Sequence, residues 1–192
     1  MSLHNHGMAH SVQVLEELDK IGLEDETIGH PFPRLPSEPA EFFHHWMAAE
    51  PSVDRGGPIL SFFHFQRTWW EARRRPNVLF VHFNDLKADL SGEMRRVADF
   101  LGISVPEYMW PELVSMADFD AMRRDGDTLM AAVASLFQGG SQRFFFKGTN
   151  ERWRGIFRDE DLALYDATAQ AMLPPECAKW VASSRLESGD PA

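Results

Sequence analysis

The sequence predicts an α/β protein that is mostly helical and carries one clear strand of the parallel type, at residues 78–83. Three observations predict this. The run VLFVHF is short, uninterrupted, rich in β-formers and bounded by Pro76-Asn77 and Asn84-Asp85, which suits a strand buried on both faces. Long stretches before and after it repeat apolar residues every three or four positions, the spacing of one helix face. The 192 residues, 44 % hydrophobic with 15 Phe and 6 Trp, supply a core for one domain and show no internal repeat.

Residues 2–21 place Val14, Leu18 and Ile21 at helical spacing with Gly22 as a stop, so a helix opens the chain. Residues 29–39 (GHPFPRLPSEP) hold four prolines, too many for a helix or central strand, and read as a surface loop or crossover. A short aromatic helix at 41–49, a turn at 54–58 and a second aromatic helix at 60–74 follow. Beyond the strand, Leu90, Met94, Val97 and Leu101 step by four, three and four, which predicts an amphipathic helix stopped by Gly102. A loop with Pro106 and Pro111 precedes a stripe of Leu129, Val133 and Leu136 that ends at Gly139-Gly140. Leu162, Tyr165, Ala169 and Met172 mark the last helix, stopped by Pro174-Pro175. Residues 1–182 are expected to fold, and 183–192 to form a flexible tail. A lone strand leaves its main-chain groups without partners, so it is expected to pair with another polypeptide or with a sheet encoded before Met1.

The formal net charge of −10 repels polyanions, which argues against nucleic acid or an anionic membrane surface as a partner. No apolar run approaches the roughly 18 residues needed to cross a bilayer, and no signal peptide follows Met1; the expected setting is the cytoplasm. Cys177 is the single cysteine and has no disulfide or metal partner. His6 and His10 lie one helical turn apart but lack the Glu of an HExxH site, so they read as surface or core histidines, and no metal is expected. Against the acidic background, residues 143–158 carry Arg143, Lys147, Arg152, Arg154 and Arg158 with Glu151 as their one acid. Such a cluster read alone is a solvated face.

Its pattern says more. In RFFFKGTNERWRGIF (143–157), Gly148 lets the backbone approach an anion while Lys147 and the arginines donate charge-assisted hydrogen bonds. The segment resembles the C-terminal motif of the cytosolic-type sulfotransferases: Arg-Lys-Gly, two residues, Gly, one residue, Trp, Lys. In that family it holds the 3'-phosphate of 3'-phosphoadenosine-5'-phosphosulfate (PAPS). Lys147, Gly148 and Trp153 match, Arg154 stands for the second Lys, Phe146 for the Arg and Glu151 for the second Gly. Arg143 or Arg152, folded inward, would make up for the lost Arg. Residues 75–90 resemble the family's last buried strand and the turn after it, with Phe83 where an adenine-contacting Tyr sits. MADFDAM (116–122) is similar to its Thr-Ser-Phe-x-x-Met segment, with Phe119 and Met122 matching and Ala117 in place of Thr. Ser2 takes the place of a Ser that opens a helix and touches the 3'-phosphate.

The resemblance implies a P-loop-NTPase-like sulfotransferase fold, of which residues 1–182 are an N-terminally truncated, C-terminal portion. The 5'-phosphosulfate loop and the family's catalytic His would then lie before residue 1. The implied function is transfer of a sulfuryl group from PAPS to an acceptor hydroxyl or amine on a small molecule. This chain would supply the 3'-phosphoadenosine side, binding PAPS or adenosine 3',5'-bisphosphate through Ser2, Phe83, Phe119, Arg143, Phe146, Lys147, Gly148 and Arg152. No catalytic residue is assigned. An alternative is a non-catalytic sulfotransferase-like remnant, a binding or interaction module that self-associates through an exposed sheet edge. Nucleoside and polyprenyl-type kinases share the phosphate-loop architecture, but the Lys-Gly and Trp-Arg pattern favours the sulfotransferase.

Overall fold

A computed structural model describes residues 1–48 and 62–191; the turn expected at 54–58 lies outside them. In chain order the helices are α1 (Ser2–Gly7), α2 (Val12–Glu24), α3 (Pro39–Ala48), α4 (Phe62–Ala72), α5 (Phe83–Ala88), α6 (Leu90–Leu101) and α7 (Trp110–Ala117). They continue with α8 (Phe119–Arg124), α9 (Gly126–Leu129), α10 (Ser141–Phe144), α11 (Asp159–Met172), α12 (Pro175–Ala182) and α13 (Arg185–Ser188). The chain divides into two compact units: Met1–Phe43 with Met116–Ile156, and His44–Ser115 with Phe157–Ala192.

In the first unit the helix expected at 2–21 is two helices. Residues 9–11 instead meet 136–138: the Ser11 N–H donates to Leu136 O at 2.8 Å, the Gln138 N–H donates to Ala9 O at 2.8 Å, and His10 forms an isolated antiparallel bridge with Phe137. The Ser11 side chain then caps α2 by accepting from the Val14 N–H. The same pairing breaks the helix expected from Leu129 to Leu136, both of which are exposed. Gly22 does not stop α2, which runs to Glu24. A Cβ there would lie 2.4 Å from the His30 carbonyl, so glycine admits the proline-rich loop. His4 is buried in this unit, with Nε2 3.0 Å from Pro36 O and its ring against Phe42, while His6 and His10 pack on Phe137.

The second unit is built around Phe63 and Trp70 of α4, Ala169 of α11, Leu173 just after it, and Cys177 and Trp180 of α12. α6 forms as its spacing predicts, capped by the Asp89 carboxylate on the Gly92 N–H and ended by Gly102 at φ 67°. Pro111 falls in the first turn of α7 rather than in a loop, a position where a missing N–H breaks no helical bond.

The strand expected at 78–83 is not observed. Residues 78–82 carry no regular structure, and Phe83 already belongs to α5. The composition of a buried strand is there, but among the described residues no second strand lies beside it, and a strand exists only by pairing. Phe80 and His82 turn onto Trp180 instead, and the Phe80 carbonyl takes the Arg96 guanidinium at 2.5 Å.

The tail expected to be flexible is tied down over 183–188. Ser184 is buried, and the Asp85 carboxylate accepts the Arg185 and Leu186 N–H groups at 3.0 and 3.1 Å. Arg185 reaches Glu93, which Arg96 also grips at 2.7 Å, and the Arg73 guanidinium donates to Pro191 O. Sequence periodicity misses this because the anchors are single acids roughly a hundred residues away.

Burial pushes the Cys177 thiol up to about 11, against a smaller lowering by Arg73. At pH 8 the folded chain is therefore expected to react with iodoacetamide about 100-fold or more slowly than the urea-unfolded chain. Mass spectrometry of timed samples checks this; equal rates would mean the core around α12 is open.

Candidate phosphate-binding site

α10 ends at Phe144, and the chain leaves it through Phe145 into an irregular segment. Three cations of this segment gather around the half-buried ring of Phe146. The Arg143 guanidinium stands 5.1 Å from its centroid, the Lys147 ammonium 5.3 Å and the Arg152 guanidinium 5.3 Å. An aromatic face attracts cations, so one ring holds together three positive groups that would otherwise repel. Phe146, which stands where the family motif has an Arg and is expected among the binding residues, is thus the platform on which the cations assemble.

Arg152 also donates to the Ser2 hydroxyl at 3.4 Å, joining residues 150 positions apart. Its charge, after burial, holds the Met1 amino group below the ordinary range. Gly148 has φ 61°, and a Cβ on it would lie 2.6 Å from the Phe119 ring. Only glycine combines that conformation with that approach. The first unit therefore gathers Ser2, Phe119, Arg143, Phe146, Lys147, Gly148 and Arg152. Phe83 belongs to the second unit, where it is half exposed at the start of α5.

Seven of the protein's arginines are neutralised by acids, while Arg73, Arg74, Arg75, Arg123 and Arg158, like this cluster, form no ion pair among the described residues. Arg34, Arg67, Arg95, Arg96, Arg124, Arg154 and Arg185 all pair with carboxylates. Among the described residues no carboxylate pairs with Arg143, Lys147 or Arg152, in a chain of net charge −10. Glu151, the nearest acid in sequence, is turned to Arg154, which donates to its two oxygens at 2.8 and 2.7 Å and holds its carboxyl below the usual range. Arg154 is thereby neutralised and lies over Trp153. An unpaired cationic trio and a hydroxyl donor fit a phosphate group.

Glu151 stands at φ 58°, a left-handed conformation that favours glycine. Glu151→Gly is expected to raise the thermal midpoint by about 2–4 °C by relieving this, and to tighten anion binding by removing a nearby negative charge. Scanning calorimetry and a phosphate titration check the two effects; a lower midpoint would show that the Arg154 pair outweighs the backbone strain.

In the second unit, residues 77–83 share an apolar cleft of about 750 Å³ with α4, α6 and α12. Phe65 and Trp69 of α4 and Phe100 and Leu101 of α6 line it, all exposed. No helix among the described residues is long and apolar enough to cross a membrane.

Over 178 residues the chain is 29 % identical to a glycolipid sulfotransferase of Mycobacterium tuberculosis, covering 87 % of this chain and 54 % of that protein. It is 28 % identical over 163 residues to a glycolipid sulfotransferase of Mycobacterium bovis, covering 80 % and 50 %. Human sulfotransferase 1C2 is 31 % identical over 98 residues, covering 50 % of this chain and 33 % of that protein. The chain thus spans about half the length of the curated relatives it matches. No solved structure matches it. Residues 30–181 match the sulfotransferase domain, and with a match over most of its length the chain belongs to the sulfotransferase family.

Proposed function

We propose that this chain supplies the 3'-phosphoadenosine side of a PAPS-dependent sulfotransferase, as the C-terminal portion (1–182) of the family's domain. The observation that carries the reading is the unpaired trio of Arg143, Lys147 and Arg152 around Phe146, with Arg152 on the Ser2 hydroxyl. These groups would hold the 3'-phosphate, and Gly148 lets the Phe119 ring close against the main chain beside them. Phe119, against Gly148, offers a ring for the adenine. Phe83, in the second unit, is not part of this cluster and stays an expectation of the family pattern. Bound PAPS would supply the sulfuryl group that passes to a hydroxyl or amine of a small-molecule acceptor in the cytoplasm. The protein's part in such chemistry is positioning and charge neutralisation.

Calorimetric titration with adenosine 3',5'-bisphosphate tests the reading, with adenosine 5'-monophosphate as comparator. Micromolar or weaker binding of the bisphosphate is expected, at least tenfold tighter than the monophosphate because the 3'-phosphate meets the trio. Absence of binding, or equal affinity for the two nucleotides, sinks the assignment. A chain that binds the nucleotide but transfers no sulfuryl group would fit the second reading, a non-catalytic binding module. That reading draws on the unpaired segment at 78–82.

A further inference from the structure

Glu151 is the one acid between Arg143 and Arg158, and it stands next to Arg152 in the chain. A carboxylate so placed is an internal rival of a phosphate for the free cations. A turn over 151–154 keeps it occupied, and that turn is closed twice. The Arg154 N–H donates to the Glu151 carbonyl at 3.0 Å, and the Arg154 guanidinium donates to the two carboxylate oxygens at 2.8 and 2.7 Å. The Trp153 ring holds the guanidinium at 4.9 Å. Arg152, inside the same turn, is engaged elsewhere, by the Ser2 hydroxyl and the Phe146 ring.

Two features set this clasp apart from an ordinary surface pair. Glu151 holds φ 58°, a conformation that strains a residue with a Cβ and that Gly148 and Gly155 adopt freely at 61° and 77°. The paired side chains are 59 % and 63 % exposed, and an exposed ion pair contributes little to stability. A strained backbone kept for a pair that stabilises little is explained by a role outside folding.

We propose that Arg154 is a positioning residue for the anion site: it acts through Glu151, holding that carboxylate off Arg152 so that the trio keeps its full charge for a phosphate. The proposal rests on the 3'-phosphate reading and adds to it a residue that works without touching the ligand. The competing use of Arg154, as a fourth cation on the phosphate, requires breaking both bonds to Glu151 and leaving a bare acid beside the ligand.

A double-mutant cycle, read by calorimetric titration with adenosine 3',5'-bisphosphate, separates the two uses. Arg154→Ala should weaken binding about five- to tenfold, because the released carboxylate turns to Arg152 and cancels one of the trio's charges. Glu151→Gln should bind at least as well as the wild type. Arg154→Ala added to Glu151→Gln should then change affinity less than about twofold, since no acid is left to hold. Arg154→Lys, which can still reach Glu151 with an ammonium, should recover most of the loss. All these variants should melt within about 2 °C of the wild type, as expected for an exposed pair.

An equal loss from Arg154→Ala in both backgrounds would make Arg154 a ligand of the phosphate and overturn the proposal, as would unchanged affinity in Arg154→Ala alone. A measurement without nucleotide keeps this outcome apart from that of the 3'-phosphate reading. Exchange of the Arg152 Nε–H with water, followed by NMR, should slow about threefold or more in Arg154→Ala and return to the wild-type rate in the double variant. Slowed exchange in a protein that binds no bisphosphate would support the clasp and sink the nucleotide. Unchanged exchange would overturn the clasp whatever the nucleotide does.

Discussion

Lys147→Ala is expected to weaken binding of adenosine 3',5'-bisphosphate by about 10- to 30-fold, with the fold unchanged. A charge-assisted hydrogen bond contributes roughly 1.5–3 kcal/mol, and the low end applies because Lys147 is exposed. Its ammonium touches no carboxylate among the described residues, so its removal leaves no buried acid uncompensated. Stability should therefore move little while affinity moves much. Lys147→Arg should retain most of the binding, because the charge stays within reach of the Phe146 ring. The slope of log affinity against log salt should fall in Lys147→Ala, since one cation fewer meets the ligand. Titration of the three forms at two ionic strengths reads all of this. Unchanged affinity in Lys147→Ala would leave Arg143 and Arg152 as a solvated pair on an aromatic ring and nothing more.

Glu93→Ala acts on the other unit and on stability. Its carboxylate is fully buried, gripped by Arg96 at 2.7 Å and by Arg185, whose side chains are 20 % and 25 % exposed. Removing it leaves two guanidinium groups facing a small cavity. The expected loss is about 3 kcal/mol, the low end for a broken buried pair because both arginines reach solvent. In urea denaturation the midpoint should drop with little change in slope. Arg185 should loosen with it, freeing α13 and the terminal residues, which hydrogen exchange would report.

The same network sets an acid limit. Burial pushes Glu93 up, but the hydrogen bonds from Arg96 and Arg185 outweigh it and its carboxyl lies below the ordinary range. For Asp85 burial is again opposed, by the Ser184 hydroxyl and the Leu186 and Arg185 N–H groups, with the same net direction. A carboxyl whose folded value is depressed contributes stability that is complete above its unfolded value, near 4, and is lost as pH falls through the folded value. The second unit should hold its stability from neutral pH to about 5 and lose it progressively below about 4. In Glu93→Ala that loss should be shallower.

The family of this protein was legible above all in one stretch of sequence, RFFFKGTNERWRGIF, because it sets particular residue types at a spacing that a merely solvated face does not require. Helix α6 was legible for a different reason, since its apolar spacing, the Asp89 cap and the Gly102 stop all act within one element. Contacts between distant residues decided the rest. The bridge between His10 and Phe137 divided one expected helix and dissolved another, and Asp85 and Glu93 held a tail that composition reads as loose. Glu151 shows the same limit in miniature: its identity suggests an acid beside a phosphate, and only the fold turns it onto Arg154. The apolar character of residues 78–83 was read correctly and their strand was not, because composition belongs to a segment and pairing belongs to its neighbours. Local chemistry was written in the chain alone, while every property that depends on which remote group arrives was settled by the tertiary structure.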